Sequence, residues 1–156
     1  MFNTPATTSS KNLIVLMREP EMVKSGAFIE FAKRYRPCQI LDLRLFPRLD
    51  FFAGSRIRTF KFFEELQIEY LDFFGREATT SNDSDIKKTL LILDFLHSLL
   101  IEPTHPKGPI ILFFDNDNLL SECKKKLSSH INETYKTTIK ADIGEYKSGF
   151  LSMQFR

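Results

Sequence analysis

Tryptophan is missing from this chain of 156 residues, whereas phenylalanine occurs sixteen times. So many Phe side chains imply a thick aromatic core, or a core plus an exposed patch for a partner, and composition leaves both open. Cysteine is scarce. Cys38 and Cys123 are too few to staple a disulfide scaffold and do not sit at zinc-ligand spacing, so a reduced, cytoplasmic protein without a metal site is expected. Charge of one sign is also lacking: 22 Lys and Arg face 20 Asp and Glu, a net +2, which excludes a polybasic nucleic-acid tail as the main feature. With 27% charged and 42% hydrophobic residues, the chain is not wholly disordered. Long uncharged apolar runs are absent too. The most apolar stretch, residues 86–101, carries Lys87, Lys88, Asp94 and His97 and is no membrane span. Residues 1–12 are polar, without a basic start leading into an apolar stretch, so neither a signal peptide nor a membrane partner is expected.

What is present is an alternation of elements. Residues 1–12 read as a flexible N-terminal segment, 13–148 as a single α/β domain, and 149–156 as a C-terminal tail. Apolar or alternating runs predict strands at 13–17, 39–46, 68–74, 110–114 and 138–143. Helical spacing predicts helices at 26–35, 59–66, about 85–102 and 119 to about 135. In the second strand Leu41, Leu43 and Leu45 face one way, while Ile40, Asp42 and Arg44 face the other. Strand and helix in turn imply an α/β fold, a three-layer Rossmann-like sandwich with a mostly parallel five-stranded sheet. Ligands of such sheets lie beyond the carboxyl ends of the strands. That edge selects Arg18 and Glu19 after the first strand, residues 44–48 after the second, Gly75 and Arg76 after the third, and residues 115–118 after the fourth.

The run Ile40-Leu41-Asp42-Leu43-Arg44-Leu45-Phe46-Pro47-Arg48, then Ser55-Arg56, then Gln67-Ile68-Glu69-Tyr70-Leu71 and Gly75, resembles the bacterial and archaeal family known as domain of unknown function 488. Members of that family have a strand ending Asp-Val-Arg, a Pro, an Arg/Ser-rich loop, a helix, and a Gly-Ile-x-Tyr strand. They usually carry Gly-His-Ser after the first strand, where Met17-Arg18-Glu19 stands here, and a Cys-x-Glu on the fourth strand, where Phe113-Phe114-Asp115 stands. The family's Cys-His-Arg at the following helix is replaced by Cys123-Lys124-Lys125. The resemblance implies a divergent member that lacks the family's His and first Cys.

Charge is the strongest local signal. Between residues 44 and 61, five cations (Arg44, Arg48, Arg56, Arg58 and Lys61) meet one anion, Asp50, on a chain whose total is only +2. The guanidinium fork suits phosphate or carboxylate, so this loop reads as an anion site in which Arg18, Arg44, Arg48, Ser55, Arg56, Arg58 and Asp115 contact the ligand. The competing reading is a solvated loop paired with the acidic residues of 64–85. Asp42 and Arg44 share a strand face and form a structural pair if buried, Arg44 being able to serve a ligand as well. Asp115 and Asp117 fit helix caps, or carboxylates beside a phosphate. Cys123 falls near a helix start beside three Lys, yet no His adjoins it, so it reads as a buried small side chain rather than a nucleophile. His97 reads as a packing residue, and His105 and His130 carry no pattern.

The expectation is a domain that binds a phosphate-bearing ligand, nucleotide or nucleic acid, without a cofactor. The alternative is a non-catalytic protein-interaction or oligomerisation module with a relict cleft, its partner a second copy or another protein. Whether a reaction occurs stays open.

Overall fold

A computed structural model describes residues 12–23, 26–50, 54–76, 84–101, 108–129, 141–147 and 149–153. Strand β1 (Asn12–Arg18) runs into a short helix α1 (Glu19–Val23), which has Pro20 in its first turn, where a missing N–H costs nothing. Gly26, at φ 71°, turns the chain into α2 (Ala27–Tyr35), and Arg36, at φ 52°, ends that helix by donating its N–H to the Ala32 carbonyl at 2.9 Å. Then follow β2 (Gln39–Asp42), α3 (Arg56–Glu65), β3 (Glu69–Asp72), a single turn α4 (Phe73–Arg76) and the long α5 (Asp85–Ile101). Ser84 caps α5 by accepting from the Lys87 N–H at 3.1 Å. The rest is β4 (Pro109–Phe114), α6 (Asp117–Ser129), β5 (Ala141–Lys147) and β6 (Phe150–Met153).

The strands form one sheet in the order β3-β2-β4-β1-β5-β6, parallel throughout except for β6. Residues 14–17 of β1 and 110–114 of β4 are buried on both faces, as their unbroken apolar runs require. On one face Ile14, Leu16, Leu41, Leu43, Leu112 and Phe114 pack under α5 and α6, through Ile92, Leu93, Leu96 and Leu127. On the other, Val15, Met17, Ile40, Ile111 and Phe113 pack under α2 and α3, through Phe28, Phe31 and Phe63. Three layers result. The predicted α/β sandwich is present, with β2 inside the sheet and its Leu side chains on the α5 face.

Several boundaries differ from expectation for stated reasons. The second strand stops at Asp42 rather than residue 46. The Leu43 N–H still donates to the Phe113 carbonyl at 2.8 Å, but the Arg44 N–H turns back to Asp42 Oδ1 at 3.1 Å, and that side-chain acceptor ends the ladder. The third strand stops at Asp72 in the same way, because Asp72 Oδ1 accepts from the Gly75 N–H at 3.1 Å and starts α4. The sheet has six strands, not five. Gly149, at φ 85°, reverses the chain so that β6 pairs antiparallel with β5 inside the segment read as a tail. Exposure of Phe150, at 74%, removed the alternation that would have signalled β6. The fifth strand runs over 141–147; residues 138–140, and the end of the fourth helix beyond residue 129, lie outside the described residues.

Gly144 lets β6 lie close, since a Cβ there would stand 2.9 Å from Leu151 Cδ1 and 3.3 Å from the Ser152 carbonyl. Gly144→Val should therefore speed amide hydrogen exchange of β6 by about tenfold or more while β1 and β4 stay protected. Unchanged exchange in β6 would contradict that packing.

Candidate functional site

The carboxyl ends of β1, β2 and β4 meet at Arg44. This side chain is only 1% exposed, and Asp42 beside it is 0% exposed. Arg44 Nε donates to Asp42 Oδ1 at 2.9 Å and Nη2 to Asp42 Oδ2 at 2.7 Å, a forked pair between residues two apart. Nη1 donates to Glu19 Oε2 at 2.9 Å and to the Arg48 carbonyl at 3.1 Å. The guanidinium lies 4.0 Å from the centre of the Phe113 ring, and Phe113 is the β4 residue in register with Asp42. Tyr70, from β3, donates its hydroxyl to Asp42 Oδ2 at 2.6 Å. Burial alone would lower the Arg44 pKa, but hydrogen bonds and charge from Asp42, then from Glu19, outweigh it and the net shift is upward. Burial, then the Asp42 carboxylate, push the Tyr70 phenol up, so it stays a donor.

The predicted Asp42–Arg44 pair is thus formed, and Arg44 is enclosed by protein groups. The other predicted residues lie around it. Arg18 forks onto Asp117, with Nε to Oδ1 at 2.6 Å and Nη2 to Oδ2 at 3.1 Å. Arg48 is exposed and meets Asp50 at 2.9 Å, a hydrogen bond that lowers the Asp50 pKa. Ser55 caps α3, its Oγ accepting from the Arg58 N–H at 3.1 Å. The Arg56 guanidinium sits 5.0 Å from the centre of the Phe60 ring. Arg58 and Lys61 are exposed, and among the described residues no carboxylate pairs with Arg56, Arg58 or Lys61. Asp115 lies in the turn after β4, where partial burial and then Glu19 raise its pKa against the pull of Arg44.

Two further hydrogen bonds tie the arginine-bearing backbone together. The Thr59 hydroxyl donates to the Leu49 carbonyl, and Arg44 holds the carbonyl of Arg48. Arg48 and Arg58, the neighbours of Leu49 and Thr59, are therefore carried on backbone that meets at the start of α3. Among the described residues, carboxylates that pair with Arg44, Arg48 and Arg18 are Asp42, Glu19, Asp50 and Asp117; of the acidic run 64–85 that the pairing alternative invoked, Glu77 and Asp83 lie outside the described residues. The cap of α6 is Asn116, whose Oδ1 accepts from the N–H groups of Asn118 (2.8 Å) and Leu119 (3.1 Å), rather than Asp115 or Asp117.

Tyr70 was missed by sequence reasoning, although period 2 puts it on the sheet face that carries Asp42; Glu19 was selected by the strand-end rule, but not as a partner of Arg44. Cys123 is fully buried, 3.7 Å from the Thr89 hydroxyl, and burial pushes its thiol up to about 12. Burial pushes Cys38 up to about 11. Neither is an activated nucleophile. His97 is half-buried on α5, and His105 and His130 lie outside the described residues. Among the described residues no three His, Cys, Asp or Glu side chains gather as a metal site, and no helix is long and apolar enough to cross a membrane.

The sheet order, the two helix layers and the ion network at the strand ends define a Rossmann-like α/β domain. Compared with known proteins, the chain matches no family, no curated protein and no solved structure.

Removing Arg44 would leave the Asp42 carboxylate buried with Tyr70 as its remaining side-chain donor. Arg44→Ala should therefore cost about 3–5 kcal/mol in urea unfolding. Glu19→Gln, at a half-exposed carboxylate, should cost about 1 kcal/mol or less. Equal costs would contradict the buried pair. Both thiols should resist iodoacetamide near neutral pH in the folded protein and react on denaturation.

Proposed function

We propose that this domain binds a phosphate-bearing ligand, a nucleotide or nucleic acid, at the carboxyl edge of its sheet, through the exposed arginines that flank the buried Arg44. Arg48, Arg56 and Arg58 are the ligand contacts, with Ser55 setting the start of α3 and Arg18 and Asp115 at the rim. Arg44 supports them from beneath. We also propose that the chain is a divergent member of the family it resembles, domain of unknown function 488.

The observation that carries the reading is the placement of Arg56 and Arg58. Both lie in the first turn of α3, a turn with no acidic residue, where the N–H groups that Ser55 does not cap already give a positive end. Cations there oppose the helix dipole, and among the described residues no carboxylate offsets them. A locally unfavourable charge of this kind is expected where it serves a ligand. An anion at this helix end would meet the uncapped N–H groups and a forked cation together, while Arg56, on the Phe60 side, extends the positive surface. The competing reading, a non-catalytic interaction module, is favoured by the exposure of Phe46 at 84% and Ile57 at 81% beside these arginines.

The two readings part on one variant. Arg58→Glu should raise unfolding stability by about 0.3–1 kcal/mol, because an acid replaces a cation at the helix start. The same change should weaken binding of adenosine triphosphate, measured calorimetrically, by about tenfold or more. Lys125→Ala, on the far helix α6, should leave binding unchanged. Loss of stability with no change in binding would remove the anion site and leave the interaction module.

A further inference from the structure

We infer that the ligand is a single-stranded nucleic acid rather than a free nucleotide, with Phe46 as the platform on which one base stacks; this rests on the phosphate reading and narrows it. Phe46 is the most exposed large apolar side chain among the described residues, at 84%. Its place is not accidental slack in the chain. It lies between Arg44, which is locked in the buried pair, and Arg48, whose carbonyl Arg44 holds at 3.1 Å. The backbone on both sides of the ring is thus fixed from below while the ring itself faces water. A few residues on, the Thr59 bond to the Leu49 carbonyl joins this segment to α3, which carries Arg56, Arg58 and Lys61.

The surface therefore combines an exposed aromatic ring on anchored backbone with three cations that no carboxylate occupies among the described residues. Arg48 adds a fourth, whose partner among the described residues, Asp50, is solvent-exposed and can be replaced by a phosphate. A mononucleotide presents its phosphates at one point and meets only some of the cations spread over Arg48 and residues 56–61. A strand presents phosphates in series and bases whose faces are free, which is the combination that an aromatic platform and a cationic track recognise. A duplex keeps its bases stacked and gives Phe46 nothing to cover. The chain's small net charge argues in the same direction, because a local track suits a few phosphates rather than the dense charge of a duplex.

The test uses the full chain and three probes: oligothymidylate of about ten nucleotides, the length that a module of this kind covers, the same sequence as a duplex, and adenosine triphosphate. The oligonucleotide should bind most tightly. Its affinity should fall with salt at a logarithmic slope of roughly −3, as four phosphate contacts on a single strand give. Phe46→Ala should weaken oligonucleotide binding by about tenfold and leave triphosphate binding unchanged, whereas Phe46→Tyr should retain it. Phe46 is exposed, so neither substitution threatens the fold. If triphosphate binds and the oligonucleotide binds no tighter, or Phe46→Ala has no effect, this inference falls and the phosphate reading survives. If neither probe binds, both fall. Tighter binding to the duplex, or capture by phosphatidylserine vesicles without oligonucleotide binding, would overturn the single-strand assignment in favour of a duplex or a membrane surface.

Discussion

The buried fork between Asp42 and Arg44 is the constraint on which the carboxyl edge depends. Removing two opposite charges from water costs several kcal/mol per ion, and only close geometry with further hydrogen bonds offsets it. Here Asp42 accepts from the Arg44 backbone and from two of its side-chain nitrogens, and a fourth bond comes from Tyr70. Arg44 in turn reaches Glu19 at the end of β1, the Arg48 carbonyl in its own loop, and the Phe113 ring of β4. Groups at the ends of β1, β2 and β4 are thereby held to one guanidinium, and Tyr70 of β3 joins them through Asp42. The pair also decides where β2 ends, because the acceptor that stops the ladder is the same Asp42 carboxylate.

This arrangement divides the arginines by role. Arg44 is enclosed and gives shape. Arg48, Arg56 and Arg58 are exposed and give charge, on backbone that Arg44 and Thr59 tie down. A flexible loop with the same cations would lose conformational freedom on meeting a ligand, whereas an anchored one has lost it on folding. The stability of the buried pair and the reach of the exposed cations are therefore one design seen from two sides of the same chain segment.

Much of the fold was legible because it rests on period. Alternation in residues 40–45 separated the Leu face from the Asp42 and Arg44 face, and both lie where period 2 puts them, the Leu residues under α5 and the charged pair against Phe113. Strand ends were not legible, since an Asp that closes a strand through its side chain looks in sequence like any polar residue of the alternation. Asp42 and Asp72, partners in the register of β2 and β3, both end their strands this way. Strand β6 escaped because an exposed edge has no buried face to mark it. At the site, the surplus of arginine could be counted, but its distribution could not. The partners of Arg44 and Arg18 lie 25 and 99 residues away, at Glu19 and Asp117, and only the sheet order brings them together.

The phenylalanine surplus divides between the core and the surface. Phe28, Phe31, Phe63, Phe73, Phe113 and Phe114 fill the two layers of the core, while Phe46 and Phe150 stand in water. Arg44 is held by protein, and the proposed function gives the ligand to the outer arginines. Arginine side-chain NMR of the 15N-labelled chain tests this division most directly. Arg44 should give a Nε–H signal that exchanges slowly with water and stays in place on titration with oligothymidylate, while the Nε–H signals of Arg56 and Arg58 shift. Fast solvent exchange at Arg44, or a shift there larger than at Arg56 and Arg58, would contradict it.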